Sequence, residues 1–183
     1  MAVESEFVEV AKKVAEEILP TPLLVRRGAA LLYQVTVDNQ LSQTVDVKRP
    51  VRGNSAFQTD LCVFEQKSEG ISIPRVVMEF KTGISTHDVL TYSAKATKHK
   101  QVYPYLRYGI VASAIDTVPG RLFTHNESLD FCACVKGLEG GILRDFFADL
   151  LSTEVEASRR LENIAFGSVR TRLFRTDIIL HGF

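Results

Sequence analysis

The run Ile73-Pro74-Arg75-Val76-Val77-Met78-Glu79-Phe80-Lys81 constrains the fold more than any other part of the chain. It is nearly continuous in apolar, β-forming residues, so a strand made from it needs cover on both faces of its sheet. Upstream, residues 57–65 form a second β-rich run. The segment between them, Gln66-Lys67-Ser68-Glu69-Gly70, has the composition of a tight turn, and the two runs read as an antiparallel hairpin. A hairpin buried on both faces requires helices, and the chain offers them. Phe7, Val10, Ala11, Val14 and Ile18 recur at helical spacing until Pro20-Thr21-Pro22 stops the run. Residues 86–103 form a second helical segment ended by Pro104, and 139–151 and 153–165 read as two more. Residues 108–113 and 128–135 read as further strands, and 172–180 as an edge strand. Residues 23–51 carry a mixed signal, with 28–37 read as a helix running into a strand and 46–52 as a polar loop. The pattern predicts an α/β fold, a mixed sheet flanked by helices.

Composition narrows the class. With 183 residues, 45% of them hydrophobic, the chain can bury a core without disulfides or metals. No repeat or Ser/Gly-rich linker divides it, so one domain over 1–183 is expected, with a core at about 1–113 and an addition at 114–183. The formal net charge of +0 argues against a polybasic protein that grips nucleic acid by bulk electrostatics. No stretch approaches the ~18 to 20 apolar residues that span a bilayer, and the N-terminus lacks a basic-then-apolar leader, so no membrane association and a cytoplasmic setting are expected. Cys62, Cys132 and Cys134 are too few for a disulfide framework. Cys132 and Cys134, two apart on one strand face, read as core packing.

Chemistry concentrates in the hairpin. Strand alternation puts Glu79 and Lys81 on one face, and folding the hairpin brings Asp60 beside Val77 or Glu79, on the same face. Three ionisable groups then converge in an otherwise apolar sheet, which is costly unless they pair or hold a metal. Two close carboxylates raise a pKa unless a divalent cation lies between them. Mg²⁺ suits such a site, because it accepts one or two carboxylates and keeps waters. A lysine on that face can orient or deprotonate an attacking water and stabilise charge in a phosphoryl transition state.

Thr59-Asp60, the hairpin and then Glu79-Phe80-Lys81 resemble the signature of the PD-(D/E)XK nuclease superfamily, with Thr59 where the family carries proline. The resemblance spans about residues 1–113 and implies a restriction-endonuclease-like mixed β-sheet core. It further implies a Mg²⁺-dependent DNA endonuclease, related to restriction or repair, in which Mn²⁺ can substitute. Carried over, Asp60 and Glu79 are metal ligands and Lys81 is the catalytic lysine. The partner would be DNA, and the chain would act as a homodimer or as a subunit of a larger restriction or repair assembly.

A third acidic ligand is common in that family on the helix before the hairpin. Among Glu4, Glu6, Glu9, Glu16 and Glu17, helical projection favours Glu17, at the flank of the apolar stripe. Downstream, Lys81, Lys95, Lys98, Lys100 and Arg107 face only Asp88 in a tyrosine-rich segment that suits phosphate contacts. Lys95 and Lys98 are ~60° apart on the helix and are the better candidates. Gln101 resembles a glutamine seen in some members of the superfamily. A second basic segment, with Arg159, Arg160, Arg170, Arg172 and Arg175, either contacts nucleic acid or pairs with the acids of 126–156. The competing expectations are a non-catalytic nucleic-acid-binding or assembly subunit that keeps the fold, and an RNA-directed nuclease.

Overall fold

The computed structural model describes residues 2–53, 55–68 and 70–175. Helix α1 (Ala2–Ile18) leads into strand β1 (Leu23–Arg27), and β2 (Ala30–Leu32) and β3 (Ala56–Gln58) pair as a small separate sheet. The hairpin strands are β4 (Leu61–Ser68) and β5 (Ile71–Lys81), followed by α2 (Thr86–Val102), β6 (Arg107–Ala112), α3 (Gly120–His125), β7 (Phe131–Cys134) and α4 (Gly140–Phe166). The main sheet has the order β1-β4-β5-β6-β7. Its β1, β4 and β5 are antiparallel, whereas β5, β6 and β7 run parallel. No helix among the described residues is long and apolar enough to cross a membrane.

Side-chain alternation builds the two halves of the core. From β5, Val76, Met78 and Phe80 join Leu61 and Val63 against α1 and α4, while Val77 turns with Cys62, Tyr108 and Ile110 toward α2. The mixed α/β architecture, a five-stranded sheet flanked by helices, is thus the one expected from a strand apolar on both sides. At the start of α2, Ser85 and Asp88 close a capping box, which fixes where the helix leaves the end of β5. Cys132 and Cys134 pack at the edge of the α2-side core, as their spacing implied.

Several elements differ from expectation. Residues 57–65 are not one strand: the chain leaves the small sheet at Gln58, bends through Thr59 and Asp60, and joins the main sheet at Leu61. Backbone bonds hold that bend, with Thr59 N–H donating to the Ala29 carbonyl and Gly28 N–H to the Asp60 carbonyl. Residues 28–37 contain no helix, because Ala30–Leu32 find β3 as a partner. The two expected C-terminal helices are one, since Leu143, Phe147, Leu151 and Val155 continue a single buried i, i+4 stripe through Ser152-Thr153. On α1 the buried positions are Val8, Ala11 and Ala15, and Val10 is exposed. Helix α3 was not foreseen. Of the expected terminal strand, residues 172–175 are described without strand structure, and the rest lies outside the described residues.

A β-bulge adds one feature. Val63 pairs with Val76 but Phe64 pairs with Pro74, leaving Arg75 as the extra residue. Its guanidinium is 0% exposed and reaches Glu65 at 2.6 Å and Glu162 of α4 at 2.5 Å. The long C-terminal helix is thereby tied to the central hairpin.

Candidate active site

Leu61 pairs with Met78 across the β4–β5 ladder, so Asp60, one residue before Leu61, comes level with Glu79. The bend at Thr59 turns the chain there, and Asp60 Oδ2 accepts the Phe80 N–H at 2.8 Å, which fixes the carboxylate over the end of β5. Glu79 is only 2% exposed. Its Oε1 accepts the Tyr108 hydroxyl from β6 at 2.5 Å and lies 3.6 Å from Lys95 Nζ on α2. Burial first, and then the like charge of Asp60, raise the Glu79 carboxyl to about 7, even though Lys95 and Tyr108 pull it down. The Tyr108 hydroxyl is itself pushed well above its ordinary value, by burial and by Glu79.

Lys81 sits two residues on, at the sheet's end. Its Nζ lies 3.2 Å from Glu4 of α1 and 5.5 Å from the Tyr92 ring centroid of α2. Burial works to lower its pKa, but Tyr92 and Glu4 outweigh it and hold the ammonium above its ordinary value. Lys81 is therefore a fixed positive charge at neutral pH. As an ammonium, Lys81 suits the electrostatic role, or the orientation of a water, among those expected of it.

The expected residues divide clearly. Asp60, Glu79 and Lys81 come together, and Lys95 joins them. On α2, Tyr92, Lys95 and His99 recur at i, i+3 and i+7, so Lys95 lies on the same side as two buried residues and reaches Glu79. Lys98 and Gln101 are exposed on that helix and are not brought to the carboxylates. Glu17 is corrected: it lies 13 residues from Glu4, about 20 Å along α1, and faces Arg144 of α4 at 3.9 Å. The helix runs past the sheet so that its first turn, not its last, meets β5, which makes Glu4 the acid beside the site.

Sequence reasoning missed other neighbours. His99 is wholly buried, its Nδ1–H donates to the Leu32 carbonyl at 2.9 Å, and its ring stacks on Tyr108 at 5.7 Å between centroids. Arg27, Arg52, Phe57, Gln58, Asp60 and Lys95 line a cleft of about 580 Å³ that opens beside the carboxylates. A local signal existed for part of this, since Lys48, Arg49 and Arg52 cluster in sequence, whereas Arg27 is identifiable only once β1 is placed next to β4.

The residues present fit a hard divalent cation. Among the described residues no group of three or more His, Cys, Asp or Glu side chains is arranged to hold a metal. Ligation would rest on Asp60 and Glu79, and two carboxylates are the set that Mg²⁺ accepts while keeping waters. Burial, more than the charge of Asp60, disfavours the Glu79 carboxylate, and a bound cation would offset that cost as Lys95 does in part. No family model matches this chain, and no curated protein is similar to it in sequence.

Proposed function

We propose that this chain is a metal-dependent nuclease with a restriction-endonuclease-like fold that hydrolyses DNA phosphodiester bonds. The observation that carries the reading is the meeting of Asp60, Glu79 and Lys81 at the end of the central strand, beside a cation-lined cleft. The element order supports it as well, because helix, hairpin, helix and strand recur as α1, β4–β5, α2 and β6 around one mixed sheet.

Asp60 and Glu79 would hold Mg²⁺ or Mn²⁺. Bound there, the ion would supply Lewis-acid stabilisation of a phosphoryl oxygen and acidify water at neutral pH. Phe80 N–H and the Tyr108 hydroxyl orient the two carboxylates, so their geometry is set before substrate arrives. Lys81, kept protonated by Glu4 and Tyr92, offers a positive charge to the non-bridging oxygens as negative charge develops.

One observation favours a second reading, a non-catalytic nucleic-acid-binding or assembly subunit. Lys95 reaches Glu79, and Glu4 engages Lys81, so the charges of the site already answer one another. One assay separates the two. On the nuclease reading the purified chain cleaves DNA with Mg²⁺ or Mn²⁺. Lys81→Ala then lowers the rate by roughly a hundredfold or more, while circular dichroism and DNA binding persist. A wild-type chain that binds DNA yet leaves plasmid and linear DNA intact with both metals sinks the nuclease reading and supports the second.

A further inference from the structure

The cleft beside the carboxylates is assembled from three parts of the chain: Arg27 and Gly28 at the end of β1, Arg52, Gly53 and Ala56 to Asp60 around β3, and Lys95 of α2. Its charge is unequal, with three cations facing Asp60 as the acid of the lining. Arg27 is partly answered by Glu9 and Ser5 of α1. Arg52 is exposed, and its guanidinium donates to the neutral amide oxygen of Gln58 at 3.2 Å rather than to a carboxylate. The cleft also has an aromatic component. Phe57 lines it and stacks on Tyr33 at 4.1 Å between centroids, with Lys95 5.9 Å from the Phe57 ring.

Size and chemistry together select a ligand class. A volume of about 580 Å³ is that of a small-molecule pocket and suits a group the size of one nucleotide rather than the flank of a duplex. Cations that meet phosphate, an aromatic ring that meets a base face and an exposed amide that meets a base edge are the parts of a single-strand site. We propose that this cleft binds an unpaired nucleotide of a single-stranded polynucleotide, its phosphate held by Arg52 and Arg27 and its base placed along Phe57. The site therefore prefers a single-stranded segment to a continuous duplex. Delivery of the adjoining phosphodiester to Asp60 and Glu79 rests on the nuclease reading, but binding in the cleft does not.

Binding is measured on the full chain with labelled oligonucleotides of one sequence as single-stranded DNA, single-stranded RNA and blunt duplex. Ca²⁺ replaces Mg²⁺, as a cation of the same oxygen-ligand preference and looser geometry. Wild type binds one or both single strands more tightly than the duplex, and the two single-stranded arms identify the sugar. Because its side chain is exposed, Arg52→Ala leaves the fold intact. It weakens single-strand binding by roughly ten- to a hundredfold, and it reduces the slope of log K against log salt by about 0.7. Arg52→Lys recovers the slope and only part of the affinity. An unchanged affinity and slope in Arg52→Ala overturns the cleft assignment, and tighter binding of the duplex overturns the single-strand preference. Binding that follows these expectations in a wild-type chain without Mg²⁺-dependent cleavage removes the nuclease reading and leaves the cleft.

Discussion

Glu79 combines the features that make a residue informative: it is charged, it is buried, and its neighbours disagree about its charge. The unfolded carboxyl titrates near 4.5 and the folded one at about 7, so between these values the folded state holds the extra proton. Stability contributed by the neutral form is therefore present below the unfolded value and lost as pH rises toward 7, by about 3 kcal/mol at most. Glu79→Gln removes the titration while keeping the shape. In urea unfolding at pH 5, 6.5 and 8, the stability of Glu79→Gln relative to wild type rises with pH across this window. Parallel profiles would show that the carboxyl is not perturbed. The same residue marks how far sequence reasoning reaches. Asp60, Glu79 and Lys81 were legible because strand alternation and an antiparallel register suffice to put them together. Glu4 was not, because only the packing of Val8, Ala11 and Ala15 decides which end of the helix meets the sheet. Lys95 was noticed for its charge, but its inward direction depends on how α2 docks through Tyr92 and His99.

Elements were recognised best where periodicity was unbroken and worst where pairing was non-local. Strand β5 and helix α2 stand nearly as read, with α2 starting at its capping box. Strands β2 and β3 could not be read as a pair, because their register joins residues 30 and 58 across a long irregular segment. The split of β3 from β4 follows from the bend at Thr59, whose backbone bonds go to Ala29 instead of continuing the main ladder. The β-bulge at Arg75 belongs to this scale too. Burial tends to raise the Glu65 carboxyl, but Arg159 and Arg75 outweigh it and hold it below its ordinary value. Arg75 thus joins β4, β5 and α4 in one buried ionic cluster. Removing Arg75 leaves Glu65 with Arg159 and Lys67 but deletes the buried guanidinium and its charged bonds to Glu65 and Glu162, so Arg75→Ala should cost about 2–3 kcal/mol in urea unfolding. Arg160→Ala, which breaks an exposed pair with Glu156 within the same helix, should cost about 0.5 kcal/mol or less. Equal small effects would show that the bulge does not anchor α4.

For the whole molecule, net neutrality conceals a division between cations paired within the scaffold and cations gathered at the cleft. Lys100 pairs with Asp130, and Arg107 with Asp130 and Glu154, so two of the five cations of the basic segment around α2 are structural. Arg159 and Arg160 of the second basic segment pair with Glu65 and Glu156. The cleft instead draws Arg27, Arg52 and Lys95 from distant stretches, which no count along the sequence could assemble. A divalent ion held by Asp60 and Glu79 must register in global stability, because only the folded chain brings the two carboxylates together. At a Mg²⁺ concentration a hundredfold above its dissociation constant at pH 8, linkage adds about 2.7 kcal/mol. For a chain of this length that raises Tm by roughly 5–10 °C. With Glu79 titrating at about 7, its carboxylate is largely ionised at pH 8 and largely protonated at pH 6, so Mg²⁺ affinity should fall about tenfold between them. Thermal unfolding across a Mg²⁺ series at both pH values therefore gives a larger shift at pH 8, and Glu79→Gln abolishes the difference. A shift independent of pH, or retained in Glu79→Gln, places the ion elsewhere on the molecule and removes the metal from the Asp60–Glu79 pair.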